Sequence, residues 1–321
     1  MSLLIVIVNY RTAGLTLDCL RSLRGEVASM PGARVVVVDN ASGDGSAETL
    51  AAAIAEQGWE DWASVLPLET NGGFAAGNNA AIGPALQAIK PPSYVLLLNP
   101  DTVVRPGALS SLVQFLEARP EVGIVGSRLE DPDGRPQCSA FRFPSILGEL
   151  EGGLRLGLAT RLLARWRIAP SVPADACPTD WVSGACLLAR REVFKTVGLL
   201  DNGYFLYFEE VDFCKRAERA GWSCWYVPEA RVVHLEGQTP GVRGQSDREA
   251  RRPAYWFHSR RRYFRTHLGP VRARLANLAW ALGFATFRVR QVLQRKSDTD
   301  PPRLLRDFLR HNFLSVSGGR A

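Results

Sequence analysis

The sequence predicts an α/β protein with a mostly parallel central sheet. In the first third of the chain, apolar runs as long as buried strands alternate with segments whose apolar residues recur at helical spacing. This alternation is typical of βαβ units, in which a helix joins two parallel strands. A chain of 321 residues, 46% hydrophobic and 22% charged, can form one large domain or two.

The predicted elements of this region follow one another with short connections. The strands are Leu3–Asn9, Arg34–Val38, Ser64–Leu68 and residues 94–99. The helices are Thr12–Arg24, one from the capping residue Ser46 to about Gln57, one ending at Ile89, and one from Pro106 to Ala118.

After Val122 the pattern becomes irregular. Residues 131–134 predict a turn and Gln137–Phe143 an extended segment, and we expect 144–178, rich in Gly and Arg, to be mobile. The later predicted strands are Trp181–Ala189, Ser223–Val227 and Arg231–Leu235. The later predicted helices are Arg191–Val197, Lys215–Ala220 and most of the chain from Arg248 onward.

Charge is distributed unevenly along the chain. Residues 231–321 contain 19 Lys and Arg against 6 Asp and Glu, whereas residues 1–230 contain 20 against 26. An acidic body with a basic tail indicates an anionic partner, such as a phosphate ligand, a nucleic acid or a membrane surface.

The six cysteines contain no CxxC pair, which predicts no metal or disulfide framework and is consistent with a cytoplasmic protein. The apolar run at the N-terminus lacks the basic region of a signal peptide, so we expect it to be a strand. The apolar stretch Leu275–Phe287 is too short to cross a bilayer.

Three polar loops follow successive predicted strands. They begin at Asp39, Asn71 and Asn99, and the last one ends its strand with Asn99-Pro100-Asp101. In open α/β sheets, ligands bind beyond the carboxyl ends of the strands, although each loop taken alone is also ordinary turn chemistry. No dinucleotide fingerprint and no P-loop is present, which argues against an oxidoreductase or a kinase.

These loops resemble the motifs of a known enzyme family. The segments that carry the resemblance are Val38–Ser46, Asn71–Phe74 with Asn78-Asn79, Leu98–Thr102, Asp133–Pro144, Ser183–Ala185, Phe205–Asp212 and Arg216–Trp222. In this order they are similar to family 2 inverting glycosyltransferases with the GT-A fold, and in particular to bacterial rhamnosyltransferases. The resemblance covers roughly residues 3–265.

The resemblance implies a role for each matching residue. It implies binding of a nucleotide-sugar donor by Asn9, Tyr10, Arg11, Asp39, Asn40, Ser42, Asp44, Asn71, Gly73, Phe74, Asn78, Asn99 and Asp101. It implies acceptor contacts by Trp181, Ser183, Gly184 and Ala185. The acidic motif Glu209-Glu210-x-Asp212 would supply the general base, for which we select Glu210 over Asp212; helix capping is the competing interpretation.

A divalent metal, Mg²⁺ or Mn²⁺, is the expected cofactor. By resemblance its ligands would be Asp101 and His234, although a lone histidine is more often structural. The usual Asp-x-Asp of the family is Asn99-Pro100-Asp101 in this chain, which leaves one carboxylate; phosphate oxygens and water can complete such a site.

The basic tail has two predicted parts. Arg260 and Tyr263 lie in an Arg-rich and aromatic stretch that would bind diphosphate groups. The segment from Val271 to Lys296 has an apolar middle and Arg at both ends, which is typical of an interfacial helix on an anionic leaflet. The alternative is a helix packed on the domain or on a second subunit, as in a homodimer.

The predicted domains are a glycosyltransferase domain over 1–265, with a nucleotide-sugar half at about 1–125 and an acceptor half at 126–265, and a basic helical tail over 266–321. The expected reaction is inverting transfer of a sugar to a lipid-linked or cell-envelope glycan. The first candidate for the donor is dTDP-L-rhamnose. The acceptor would be a polyprenyl-diphosphate-linked glycan, reached from the inner face of the cell membrane.

Three alternatives stay open. The donor can be a UDP- or GDP-sugar. The protein can instead bind nucleic acid through its tail, against which stand the acidic body and the lack of a nucleic-acid motif. Nucleotidyl transfer would need a glycine-rich, basic triphosphate loop, which Tyr10–Gly14 resembles poorly.

Overall fold

The computed structural model describes residues 2–235 and 251–314, so the predicted helix start at Arg248 lies outside the described residues. These residues form two compact units. Unit 1 consists of the described residues within Met1–Phe141, Ser171–Phe205 and Glu209–Gly244. Unit 2 consists of the described residues within Arg142–Pro170, Leu206–Phe208 and Gln245–Ala321.

Unit 1 is built on one large sheet. The described strands are β1 (Leu3–Asn9), β2 (Ala33–Asp39), β3 (Ala63–Pro67), β4 (Tyr94–Leu98), β5 (Thr102–Val104), β6 (Val122–Glu130), β7 (Ala140–Phe141), β8 (Cys177–Thr179), β9 (Trp181–Val182), β10 (Cys186–Arg190) and β11 (Ser223–His234). The large sheet has the order β3-β2-β1-β4-β10-β6-β11-β5, with β8 paired to β11, and β7 pairs with β9 separately.

The first four strands of the sheet are parallel. β1 pairs with β2 and β4, and the register places Asn9 opposite Asp39 and Ile7 opposite Leu98. The carboxyl ends of these strands therefore lie at one edge of the sheet, as the sequence predicted. β10 runs antiparallel between β4 and β6, which brings a later segment of the chain into the middle of the sheet.

The described α-helices are α1 (Ala13–Ser29), α2 (Ser46–Glu56), α3 (Gly73–Gln87), α4 (Ala108–Glu117), α5 (Ile146–Leu154), α6 (Gly157–Leu162), α7 (Arg191–Val197), α8 (Glu209–Arg219), α9 (Ala254–Leu293) and α10 (Leu304–Leu309). In unit 1 the apolar faces of α1 and α4 cover the sheet. Cys19, Leu20 and Leu23 of α1, for example, are fully buried against it. Their i, i+1, i+4 spacing is the helical pattern read from the sequence.

Several local predictions were wrong. The segment 144–178 contains α5, α6 and a short 3-10 turn at Ala164–Trp166, and Ser145 caps α5 by accepting a hydrogen bond from Gly148 N (3.1 Å). The predicted strand Trp181–Ala189 is split by a turn at 183–185. α4 begins at Ala108, because Gly107 with φ of 83° caps it, and not at Pro106.

The two late strands predicted at Ser223–Val227 and Arg231–Leu235 form one strand, β11. A register shift between Val227 and Arg231 in its pairing with β6 accounts for the interruption seen in the sequence pattern.

In unit 2, α5 packs against the second half of α9. α9 is kinked at Gly269, which has a φ of 76° and precedes Pro270. The backbones of the two helices approach closely at a pair of glycines, because a Cβ on Gly153 would lie 2.7 Å from the Trp280 carbonyl oxygen. A Cβ on Gly283 would lie 2.9 Å from the Leu150 carbonyl oxygen. Within residues 2–235 and 251–314, no helix combines the length and apolar character needed to cross a membrane.

Gly153→Ala should destabilise unit 2 by ~1–3 kcal/mol, because the new methyl group pushes α5 off α9. Gly152→Ala is the matched control, since a Cβ at that neighbouring position meets nothing within 4 Å. The control should be neutral or stabilising by up to ~1 kcal/mol, as expected for Ala in a helix. Urea unfolding of both variants measures the difference; equal stabilities would contradict the close contact.

Candidate active site

The side chains at the ends of β1 and β2 form a closed hydrogen-bond network. Asn9 Nδ2 donates to Asp39 Oδ1 (2.6 Å), and the Ser42 hydroxyl donates to the same oxygen (2.5 Å). The Ser42 backbone N–H donates to Asp39 Oδ2 (3.1 Å). All three side chains are buried. The network fixes the loop after β2 against the end of β1.

Two threonines that the sequence reasoning missed orient Asn9. The hydroxyls of Thr12 and Thr16 each donate to Asn9 Oδ1 at 3.0 Å. With its oxygen held in this way, Asn9 turns its NH₂ group toward Asp39. The i, i+4 spacing of the threonines at the start of α1 was the available signal.

Arg11 lies beside this network. Its φ of 58° is left-handed, and its backbone N–H and Nε donate to Ser42 Oγ and to the Ser42 carbonyl, both at 2.9 Å. Its guanidinium carbon lies 5.1 Å from the centre of the Tyr10 ring. Asp44 accepts bonds from the hydroxyl and N–H of Ser46, and these bonds lower the pKa of the Asp44 carboxyl.

The segment Asn71–Phe74, called the glycine loop, is held between Asn40 and Phe205. Asn40 Nδ2 donates to Asn71 Oδ1 (2.9 Å) and to the Gly73 carbonyl (3.1 Å), while Phe74 N donates to the Phe205 carbonyl (2.7 Å). Gly73 has a φ of 83°, and a Cβ there would lie 1.9 Å from the Phe205 carbonyl oxygen. Both facts restrict this position to glycine.

Asn78, in the first turns of α3, is fully buried. Its Nδ2 donates to the Phe74 carbonyl at 2.9 Å. Asn78 therefore supports the backbone that presents the Phe74 ring.

The end of β4 meets the end of β11 at Asp101 and His234. The antiparallel pairing of Thr102 with His234 brings them together, and Leu235 N donates to the Asp101 carbonyl (2.9 Å). His234 Nε2 lies 3.4 Å from Asp101 Oδ1 and 3.4 Å from Asn99 Nδ2. The carboxylate and the imidazole predicted from distant parts of the sequence are neighbours.

Asp101 and His234, together called the Asp101 corner, offer a divalent cation two protein ligands. A carboxylate oxygen and an imidazole nitrogen suit Mn²⁺, and a carboxylate suits Mg²⁺. No group of three or more His, Cys, Asp or Glu side chains able to hold a metal occurs in the described parts of the chain. The donor set therefore fits a metal whose remaining ligands come from a bound ligand or from water.

The turn between β9 and β10 joins this corner to the start of α8. Asn99 N donates to the Ala185 carbonyl at 3.0 Å. A Cβ on Gly184 would lie 3.5 Å from the Phe74 ring and 3.7 Å from Glu210 Cβ. Gly184 and Ala185 therefore connect three of the predicted motifs, namely the Asp101 corner, the glycine loop and the acidic motif.

The three acids of the motif differ in their surroundings. Asp212 is buried and accepts from Arg216 Nε (2.7 Å) and from the Tyr204 hydroxyl (3.4 Å). Glu209 is 3% exposed, and burial, followed by the negative charge of Glu210, raises its pKa well above the ordinary value of 4.5. Glu210 is partly exposed and is the acid beside Gly184.

Two aromatic residues precede the acidic motif in strained backbone. Tyr207 and Phe208 have φ of 69° and 72°, which is rare for large side chains and is found most often at functional sites. Within unit 2, Phe208 packs on Tyr263 with ring centres 5.5 Å apart.

The predicted acceptor residues lie together. Trp181 is half-buried and stacks on Phe141, with ring centres 4.1 Å apart and planes 13° apart. Ser183 N donates to the Ser139 carbonyl (3.0 Å), and Ser183 Oγ accepts from Ala185 N (3.3 Å).

Arg260 and Tyr263 belong to the interior of unit 2. Arg260 is 2% exposed, and its guanidinium donates to Glu149 and Asn277. Tyr263 is also buried. The structure thus corrects the predicted diphosphate contact of Arg260, which pairs with Glu149 inside unit 2. Glu149 is 111 residues away in sequence, so spacing could not reveal this pair.

Comparison with known proteins identifies the family. A match to the family described as "Glycosyltransferase like family 2" covers residues 2–265. The chain belongs to this family. It is a glycosyltransferase, as the motifs predicted.

Relatives of this glycosyltransferase include two named rhamnosyltransferases. The N-acetylglucosaminyl-diphospho-decaprenol L-rhamnosyltransferase of Mycobacterium tuberculosis is 33% identical over 221 residues, which cover 64% of this chain and 68% of the relative. The rhamnosyltransferase WbbL of Escherichia coli is 27% identical over 165 residues, covering 50% of this chain and 60% of WbbL.

Solved structures confirm the GT-A fold. The mannosyltransferase PcManGT of Pyrobaculum calidifontis, solved with GDP-Man and Mn²⁺, has a TM-score of 0.58 and 17% identity, covering 91% of this chain and 74% of PcManGT. GalNAc-T7, solved with UDP, GalNAc and Mn²⁺, has a TM-score of 0.57 and 17% identity, covering 97% of this chain and 55% of GalNAc-T7.

Gly73→Ala should abolish nucleotide-sugar binding, because its Cβ would collide with the Phe205 carbonyl and displace the glycine loop. Gly43→Ala is the control for backbone strain. Gly43 also has a positive φ, of 65°, but a Cβ there meets nothing within 4 Å. Both variants should lose ~1–2 kcal/mol of stability through the left-handed conformation, and only Gly73→Ala should lose more. Urea unfolding and calorimetric titration with nucleotide separate the two effects.

Glu209→Gln should stabilise the enzyme increasingly as pH rises. A carboxyl whose native pKa is raised keeps its proton in the native state after the unfolded state has lost it, so the free energy of unfolding falls above about pH 4.5. Glutamine imitates the protonated acid, so the variant does not show this fall in the free energy of unfolding.

The test measures the stability of Glu209→Gln and of the wild type between about pH 4 and about pH 7. Glu218→Gln provides the reference for removing an exposed acid from the same helix. A stability difference that does not grow with pH would contradict the protonated state of Glu209.

Proposed function

We propose that this glycosyltransferase transfers a sugar, with inversion, from a nucleotide-sugar to a hydroxyl of a lipid-linked glycan. dTDP-L-rhamnose is the first candidate donor, because two relatives are named rhamnosyltransferases. The polyprenyl-diphosphate acceptor is inferred from the mycobacterial relative, which is named an N-acetylglucosaminyl-diphospho-decaprenol L-rhamnosyltransferase. The observation that carries the proposal is the Gly184–Ala185 turn, which contacts both the Asp101 corner and Glu210.

Glu210 is the proposed general base. Asp212 is already held by Arg216 and Tyr204, and the raised pKa of Glu209 favours its protonated form. Glu210 is partly exposed and lies beside Gly184 in the proposed acceptor turn, which makes it the acid of the motif best placed to accept the proton of the acceptor hydroxyl. The oxygen then attacks the anomeric carbon from the face opposite the leaving nucleoside diphosphate, and the configuration inverts.

Asp101 and His234 are the proposed metal ligands, with Asn99 beside them. A divalent cation held there would neutralise the charge that develops on the leaving diphosphate. The buried position of Asp101, which is 4% exposed, keeps its carboxylate oriented toward His234.

The end of β2 is the proposed site for the nucleotide base. Asp39 accepts three hydrogen bonds from Asn9 and Ser42, and a carboxylate has about four acceptor positions, so one remains for a base N–H. The exposed Arg11 and the neighbouring Tyr10 would contact the nucleoside. Trp181 and the Ser183–Ala185 turn are the proposed acceptor contacts.

A UDP- or GDP-sugar donor is the second candidate. PcManGT was solved with GDP-Man and GalNAc-T7 with UDP, and both share only the fold with this chain.

Glu210→Gln should lower the rate of sugar transfer by ~10²–10⁴-fold, because the general base is lost while the shape of the side chain is kept. Nucleotide binding and thermal stability should stay unchanged. Asp212→Asn is the contrasting variant: it weakens the buried pair with Arg216 and should lower stability as well as rate.

The assay uses purified protein, a labelled donor and a synthetic polyprenyl-diphosphate-linked acceptor. Thermal shifts with dTDP-, UDP- and GDP-sugars, with and without Mn²⁺, identify the donor independently of turnover. Full activity of Glu210→Gln would reject the assignment of the base.

A further inference from the structure

We propose that the second half of α9 docks on an anionic lipid surface through its exposed apolar face. This face, called the apolar stripe, consists of Val271, Leu275, Leu278, Leu282, Val289 and Val292. The proposal concerns unit 2 alone and does not depend on the sugar transferred.

One side of this helix is already used inside unit 2. Ala276, Phe284 and Gln291 are buried on the side that packs on α5, where Gly153 and Gly283 bring the backbones together. The alternative of a helix packed on its own domain is therefore correct for this side.

The apolar stripe covers the other side. Its members are 47–73% exposed, and they recur at steps of four, three, four, seven and three residues, which keeps them on one helical face. From Val271 to Val292 the stripe extends roughly 32 Å at 1.5 Å per residue. A continuous row of large apolar side chains of this length marks an interaction surface and not a random set of exposed residues.

The charge around the apolar stripe has one sign. Residues 254–296 contain ten Lys and Arg and no Asp or Glu. Arg272 and Arg274 are exposed next to the first stripe residue, and Arg295 and Lys296 are exposed just beyond the last. Apolar side chains framed by cations are complementary to acyl chains beneath anionic headgroups.

A second copy of the chain fits this surface less well. The spacing of the apolar stripe would suit a helix pair, but the positions that flank such a seam include Arg272, Arg274 and Arg288. Paired helices place opposite charges at these positions, whereas two copies of this helix would bring cations together. Charge complementarity therefore selects the lipid surface over the homodimer.

The test measures binding of the full-length protein to vesicles by co-flotation. Binding to phosphatidylcholine vesicles that contain phosphatidylglycerol should exceed binding to phosphatidylcholine alone, and added salt should weaken it. The double variant Leu275→Asn/Leu282→Asn should bind about tenfold or more weakly, because acyl insertion is lost. Arg272→Gln/Arg274→Gln should lose the preference for phosphatidylglycerol.

The matched control is Ile89→Asn, which removes a fully exposed apolar side chain of unit 1 and should bind vesicles as the wild type does. Circular dichroism and thermal unfolding check that each variant is folded. Transfer to a water-soluble acceptor should be unchanged in the stripe variants, so loss of vesicle binding is distinguished from failure of the catalytic proposal.

Three results would overturn the proposal. The first is an absence of vesicle binding by the wild type, and the second is equal binding by the wild type and Leu275→Asn/Leu282→Asn. The third is a dimer, seen by sedimentation without vesicles, that the same double variant dissociates; it would assign the apolar stripe to a second copy.

Discussion

The antiparallel pairing of β10 with β4 is the constraint on which the candidate active site depends. It places Cys186 opposite Leu98, so the turn that precedes β10 lies directly beside the polar tip of β4. The bond from Asn99 N to the Ala185 carbonyl then fixes the Asp101 corner relative to the turn, and Gly184 of that turn lies beside Glu210. The proposed metal ligand Asp101 and the proposed base Glu210, more than a hundred residues apart in sequence, are thus positioned by the same turn.

The three neighbouring acids in the first turn of α8 differ in burial and in partners. Asp212 is paired with Arg216, which compensates its charge inside the unit. Glu209 is buried beside the negative charge of Glu210, and its neutral form avoids the desolvation of a charge. Glu210 is partly exposed in the first turn of α8, where the helix dipole favours a carboxylate. One turn of helix therefore holds a carboxyl paired with arginine, a buried carboxyl with a raised pKa, and a partly exposed carboxyl that is the proposed base.

Much of the site was predictable because its signals are local. The apolar run that ends at Asn99-Pro100-Asp101 fixed a strand and its tip, and parallel strands necessarily present such tips at one edge. The supports of these residues were harder to predict. Thr16 orients Asn9 across a strand–helix connection and left only the i, i+4 threonine spacing as a signal, whereas Arg260 meets Glu149 from another helix, 111 residues away, which no local pattern reveals. The glycine-rich segment 144–178 misled for a related reason, since Gly153 serves close helix packing and not flexibility.

The contact between Gly73 and Phe205 has a consequence for engineering this enzyme. Because the Phe205 carbonyl occupies the space of a side chain at position 73, that position is closed to sequence variation, and the glycine loop must move together with the backbone at Phe205. Gly184 differs, since an added methyl group would make ordinary van der Waals contacts with the Phe74 ring at 3.5 Å and with Glu210 Cβ at 3.7 Å. A library that diversifies positions 74 and 184 and leaves 73 fixed would vary the side chains around Glu210 without producing mostly unfolded protein.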